Sequence, residues 1–122
     1  MAALILVVDA HELNVKLLRY ILERNGHRVI AAADAREARQ SVRAVKPDLV
    51  LMDVRLPDID GLQLTREFKA DPELAAVPII AVTSRAMNGD DESILAAGCD
   101  AYMSKPIDQH ALLALVARHL RP

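Results

Sequence analysis

The sequence predicts an α/β domain: a doubly wound, five-stranded parallel sheet with five helices. Three observations carry this. Five short apolar runs, of which Leu49-Val50-Leu51-Met52 is the clearest, are too short for helices and lack polar alternation, so they fit strands covered on both faces. Five longer segments with apolar residues at helical spacing alternate with them. Every connection is short, so successive strands read as right-handed crossover units.

In chain order, Leu4 to Val8 form the first strand and Asp9 stands at its end. A helix from Glu12 to about Asn25 places Leu13, Leu17, Leu18, Ile21 and Leu22 at helical spacing, and Gly26 stops it. Asp9 and Glu12 also have the spacing of a capping box, a purely structural reading of Asp9. Arg28 to Ala32 are the second strand. Asp34 and Glu37 form a second capping-box pair, opening a helix that ends near Lys46-Pro47. Arg36, Arg39 and Arg43 line one face of that helix, read most simply as a solvated stripe, with a surface for an acidic partner as the lesser alternative. The third strand ends at Asp53; Pro57 follows, and Asp60 caps a helix from roughly Leu62 to Ala70 that Asp71-Pro72 breaks. Val77 to Val82 are the fourth strand, with Thr83 and Ser84 at its end. A helix from about Asp90 to Ala97 carries acids in its first turn, as the helix dipole favours, and Gly98 closes it. Ala101 to Met103 are the fifth strand, running into Ser104-Lys105-Pro106. Asp108 caps the last helix, where Leu112, Leu113, Val116 and Leu120 make an apolar stripe.

Composition narrows the function classes. The chain has 122 residues, 52% of them hydrophobic, enough for one domain over residues 1–122 that buries roughly two-thirds of its unfolded surface. A net charge of −2 supplies no basic field for nucleic acid or an anionic membrane surface. The apolar runs are far short of a membrane span, and Met1 leads into a strand without a charged leader, so a cytoplasmic location is expected. Cys99 stands alone, which excludes an internal disulfide or a cysteine metal cluster and reads as a small buried thiol.

Four strands end in chemically capable side chains: Asp9, Asp53, Thr83 and Lys105. In a parallel sheet the strand carboxyl ends share one edge, where open α/β sheets bind ligands. Asp53 alone reads equally well as a strand-end residue capping a loop. Four such residues together argue for one site. Two carboxylates suit a hard cation such as Mg²⁺, a lysine ammonium adds a point charge for phosphate, and a threonine hydroxyl adds a donor. A carboxylate in that setting is a nucleophile able to form an aspartyl phosphate.

Val7-Val8-Asp9, Leu51-Met52-Asp53 with Leu56-Pro57 and Asp60-Gly61, Ala81-Val82-Thr83 and Ser104-Lys105-Pro106 together resemble a response-regulator receiver domain of two-component signalling. The likeness runs the length of the chain and is closest to single-domain receivers. It implies the sheet order 2-1-3-4-5. It implies that Asp53 accepts a phosphoryl group from a histidine kinase or a histidine phosphotransfer protein, and that Lys105, joined to Pro106 by a cis bond, contacts that group. Thr83 is then the switch hydroxyl and Tyr102 the aromatic whose rotamer follows it. The downstream protein partner reads the surface of the fourth helix, fifth strand and fifth helix. No conventional enzyme is implied, only self-catalysed phosphotransfer and dephosphorylation.

One position departs from the family. Receivers usually carry two adjacent acids after the first strand, the second ligating the metal; here the pair is Asp9-Ala10. A methyl cannot bind Mg²⁺, and His11 offers an imidazole, a poor ligand for hard cations. Asp9, Asp53 and the backbone carbonyl of Arg55 remain to hold Mg²⁺, weakened by Ala10 by about 10- to 100-fold or more. Arg55 and Arg85, each two residues past a site residue, are candidates to replace some of the missing positive charge. Ala10 also leaves open a pseudo-receiver that acts as a phosphorylation-independent protein-interaction module. A haloacid-dehalogenase-type phosphatase fits less well because Arg55 stands where its second aspartate belongs, and no glycine-rich nucleotide loop is present.

Overall fold

The structure is a computed structural model that describes residues 3–84 and 90–120, with only the backbone described for residues 90 and 91. Among these residues five strands alternate with five helices: β1 (Leu4–Val8), α1 (Glu12–Arg24), β2 (Arg28–Ala32), α2 (Ala35–Ala44), β3 (Leu49–Asp53), α3 (Gly61–Ala70), β4 (Ile79–Thr83), α4 (Asp90–Ala96), β5 (Ala101–Ser104) and α5 (Gln109–His119). All pairings are parallel, and the sheet order is β2-β1-β3-β4-β5. The expected architecture and order are both present.

Every residue of β1, β3 and β4 is buried, because helices cover both faces of the sheet. The two-residue strand period divides the core. Ile5, Val7, Leu49, Leu51, Ile80 and Val82 face Leu18, Ile21 and Leu22 of α1 and Leu112 and Val116 of α5. Leu6, Val8, Val50, Met52, Ile79 and Ala81 face residues of α2, α3 and α4, with Leu64, Phe68 and Ile94 the largest of them. The register pairs Val8 with Met52 and Asp53 with Val82, so the residues ending β1, β3 and β4 reach one edge side by side.

Several local expectations change. The apolar stripe of α1 is narrower than its spacing suggests: Leu18, Ile21 and Leu22 are buried, whereas Leu13 is 80% and Leu17 42% exposed. The leucines and isoleucine cover more of the helix circumference than the sheet can. The Asp9–Glu12 capping box does not form; His11 occupies the N-cap of α1 without a side-chain cap, and Asp9 accepts the His11 N–H instead (2.8 Å). Asp34, Asp60 and Asp108 do cap α2, α3 and α5. Strand β4 opens at Ile79 rather than Val77, since Pro78 has no N–H to enter a ladder. Helix α2 stops at Ala44, with Val45 already extended ahead of Lys46-Pro47. On its arginine stripe, Arg39 makes a two-pronged ion pair with Glu67 of α3 (2.7 and 2.9 Å) rather than standing in solvent alone.

Candidate functional site

Asp9 follows the last residue of β1, Asp53 and Thr83 end β3 and β4, and Lys105 follows β5. The Lys105 N–H donates to the Thr83 carbonyl (2.8 Å), which carries the β4–β5 pairing one step past the strands, and the Lys105–Pro106 bond is cis. The Lys105 ammonium then lies 3.2 Å from Asp9 Oδ2 and 3.3 Å from Asp53 Oδ2. Residues separated by as many as 96 positions thus meet.

Both acids are buried, Asp9 to 3% exposure and Asp53 to 4%. Each fixes one oxygen by folding the chain back on it: Asp9 Oδ1 accepts the His11 N–H (2.8 Å), and Asp53 Oδ1 accepts the Arg55 N–H (3.1 Å). These turns, in which an aspartate bonds the amide two residues on, are a local habit of that side chain. Burial pushes the Asp53 carboxyl up from its ordinary range; the Arg55 N–H opposes this, the Asp9 charge reinforces it, and Lys105 opposes it again. Among the described residues, two buried carboxylates share one ammonium, which leaves negative charge for a cation to neutralise.

The loop after β3 is held against the site. Gly61, the first residue of α3, donates its N–H to the Val54 carbonyl (2.8 Å), and a Cβ there would collide with the Asp53 carbonyl oxygen and lie 2.9 Å from Val54 Cα. Asp58 reaches from this loop to the first turn of α2, accepting the N–H groups of Ala35 (3.0 Å) and Arg36 (3.1 Å). Those amides, Ala35 foremost, hold the Asp58 carboxyl below the usual carboxylate range.

The expected residues therefore gather, with qualifications. Lys105 contacts both Asp9 and Asp53. Thr83 is buried on the adjacent strand end, and Tyr102, half-buried on β5, pairs in register with Ala81, two residues before Thr83 on the same face of the sheet. Arg55 reaches Asp53 by its backbone while its side chain is exposed, and Arg85 lies outside the described residues. Ala10 is exposed and contributes no donor. The residue that sequence reasoning undervalued is His11. Its Nδ1 stands 3.1 Å from Asp9 Oδ1 and 3.8 Å from Asp53 Oδ2. The signal was its spacing: the turn that returns the amide of residue i+2 to an aspartate also swings that residue's ring over the carboxylate. Asp9, His11 and Asp53 each offer one ligand atom, all within 4.8 Å of one another, so the donor set fits a divalent cation.

Comparison with known proteins shows the family. The model of the response regulator receiver domain matches residues 5–117. The polar-differentiation response regulator DivK of Brucella anthropi is 41% identical over 116 residues, covering 95% of this chain and 94% of its own. The receiver domain of a sensor histidine kinase from Pseudomonas aeruginosa, solved with a magnesium ion coordinated in its active-site cleft, is 36% identical with a TM-score of 0.90 and 98% of both chains covered. The signal receiver domain of a signal transduction histidine kinase from Syntrophus aciditrophicus is 31% identical, again with a TM-score of 0.90, over 97% of this chain and 89% of its own. Among the described residues no helix is long and apolar enough to cross a membrane. Sequence, sheet order and the edge where the strand ends meet lead to one assignment: the chain belongs to the response regulator receiver domain family, regulatory modules of two-component signalling rather than conventional enzymes.

Proposed function

We propose that residues 1–122 form one cytoplasmic receiver domain that accepts a phosphoryl group on Asp53 and thereby switches its binding to a downstream protein. The observation that carries this is the Lys105 ammonium, set between Asp9 and Asp53 at the carboxyl edge of the sheet. In the transfer, an Asp53 carboxylate oxygen attacks phosphorus, and the phosphorus–nitrogen bond to the donor histidine of a histidine kinase or histidine phosphotransfer protein breaks. The bonding pair stays on that imidazole, and Asp53 becomes a mixed anhydride. Burial suits the role, since a poorly solvated carboxylate is a better nucleophile. Lys105 neutralises the incoming phosphoryl oxygens. Thr83 Oγ1 is the hydroxyl that turns toward them, and Tyr102, on the same face, moves with it and alters the surface of α4, β5 and α5.

Asp9, Asp53 and the Arg55 backbone carbonyl would hold Mg²⁺, which when bound supplies positive charge for the phosphoryl oxygens. Ala10 stands where the family's second acid would ligate, and it weakens that binding. The same residue favours a second reading, a pseudo-receiver that binds partners without phosphorylation. Intact mass after incubation with acetyl phosphate and Mg²⁺ decides between them. A phosphoryl adduct on the wild type that is lost in Asp53→Ala supports the working receiver. An adduct that forms only in Ala10→Asp supports the interaction module and overturns the first reading.

A further inference from the structure

From the Asp9, His11 and Asp53 geometry we propose that this cleft is a mixed nitrogen–oxygen site that selects a first-row divalent transition ion, of the Mn²⁺ to Zn²⁺ series, over Mg²⁺. The proposal deepens the receiver reading, since it concerns the ion of that same cleft. Adjacent ligands at about 2.1 Å from a small divalent ion lie about 3 Å apart. His11 Nδ1 is 3.1 Å from Asp9 Oδ1, already at that spacing, and 3.8 Å from Asp53 Oδ2, and the three residues each offer a ligand atom within 4.8 Å of the others, so a small closing movement would bring them round one ion. Two of the donors are buried carboxylates, and the third is Nδ1 of His11, the N-cap of α1, whose backbone amide is tied to Asp9 (2.8 Å) and whose ring nitrogen lies within hydrogen-bond distance of the same oxygen (3.1 Å). The ring itself is 66% exposed, which leaves the outward positions of an ion open to water and to a phosphoryl oxygen.

The chemistry of the exchange sets the direction of selectivity. Ala10 removes a hard oxygen donor of the kind Mg²⁺ prefers, and His11 adds the imidazole that suits ions later in the Irving–Williams order. The two changes act together: one lowers affinity for Mg²⁺, the other raises affinity for Mn²⁺ through Zn²⁺. Lys105 competes for Asp9 Oδ2 and Asp53 Oδ2 whichever ion enters, so it lowers all affinities without reversing the order.

The test is metal binding by the intact protein in the absence of any phosphoryl donor, so it stands or falls separately from phosphorylation. Titrations with MgCl₂ and CoCl₂ give the two dissociation constants for the wild type and for His11→Ala, and the ring ¹⁵N resonances of His11 are followed on adding ZnCl₂. Oxygen sites also bind Co²⁺ more tightly than Mg²⁺, so the ratio of the two constants between variants is what decides. It is expected to fall by about tenfold in His11→Ala, the scale on which losing one group of a metal site acts, with the Mg²⁺ constant little changed. In the wild type the His11 Nδ1 resonance shifts with Zn²⁺, whereas in a folded Asp9→Asn, Asp53→Asn variant it does not. A ratio that falls by less than about threefold, or a His11 ring that does not respond to Zn²⁺, overturns the proposal.

Discussion

Lys105 Nζ lies 3.3 Å from Asp53 Oδ2 and almost equally close to Asp9, so one ammonium serves two buried carboxylates. An ordinary buried ion pair balances its charges. This one does not, and the imbalance is maintained by the sheet, which delivers Asp9 and Asp53 from neighbouring strands and Lys105 from two strands away. The site is therefore electrostatically unsatisfied when free, which destabilises the fold locally and provides the attraction for a cation.

Neutralising Asp53 relieves that imbalance. Its carboxyl is raised by burial, so between the unfolded and folded pKa values the native state holds the proton more tightly, and stability declines as pH rises through that window. At neutral pH the ionised group is a net cost. Asp53→Asn is expected to stabilise the protein by about 1 kcal/mol and, on the proposed function, to abolish phosphorylation, the trade expected of a buried charge kept for function. Urea unfolding at neutral pH and near pH 4 checks it. The gain should shrink in acid, and a variant less stable than the wild type at neutral pH contradicts the argument.

Gly61 is required for space rather than for backbone freedom. A Cβ would strike the Asp53 carbonyl oxygen and crowd Val54 Cα, both backbone atoms that cannot swing aside. Gly61→Ala is expected to cost about 2 kcal/mol, the usual scale of overpacking, and to slow phosphorylation because the displaced atoms belong to Asp53. Gly26→Ala is the control. Its φ of +88° strains an alanine, yet nothing lies within 4 Å of its Cβ, so about 1 kcal/mol is lost with no change at the site. Equal phosphorylation rates in the two variants would refute the steric account.

Asp58 links the loop after β3 to the first turn of α2, and its depressed pKa fixes the pH range of that link. The stabilisation is complete above the ordinary aspartate pKa and is lost as pH falls through the lower folded value. Asp58→Asn is expected to speed hydrogen exchange at the Ala35 and Arg36 amides several-fold at neutral pH, with the difference from wild type fading in strong acid. Unchanged exchange at both amides rules the link out.

Most of the fold was legible because both faces of the sheet are covered, which makes the strands continuous apolar runs and leaves caps and prolines to mark their limits. The gathering of Asp9, Asp53 and Lys105 was legible for a topological reason, since parallel strands end on one edge. Burial on one helix was not legible. Leu13 and Leu17 share the spacing of Leu18, Ile21 and Leu22, and only packing shows that they remain outside. Nor was it evident that Asp9 turns back to His11 instead of capping α1 with Glu12, because the two hydrogen-bonding patterns begin from the same residues. Acids at the opposite edge carry the same ambiguity. Asp48 and Asp100 immediately precede strands, and each bonds the first amide of a neighbouring strand, Leu4 and Ile79 respectively (both 2.8 Å).

Asp100 provides the test of that structural role. Its Oδ2 accepts both the Ile79 N–H and the Lys69 ammonium (2.9 Å), and Lys69 also reaches the Val77 carbonyl (2.9 Å), so the end of α3 and the starts of β4 and β5 meet at one carboxylate. Removing the acid leaves the amide that opens a buried strand without its acceptor. Asp100→Ala is therefore expected to cost about 2 kcal/mol. Lys69→Met removes the ion pair and the bond to the Val77 carbonyl while keeping an apolar stem against Gly98, so it should cost about 1 kcal/mol, less than the loss of the strand amide's acceptor. Because this cluster sits at the amino edge of the sheet, both variants should still accept a phosphoryl group on Asp53 under conditions where they remain folded. Denaturation midpoints and phosphorylation rates measured side by side decide it. A larger loss from Lys69→Met than from Asp100→Ala would show that the ion pair, and not the strand amide, is what the carboxylate secures.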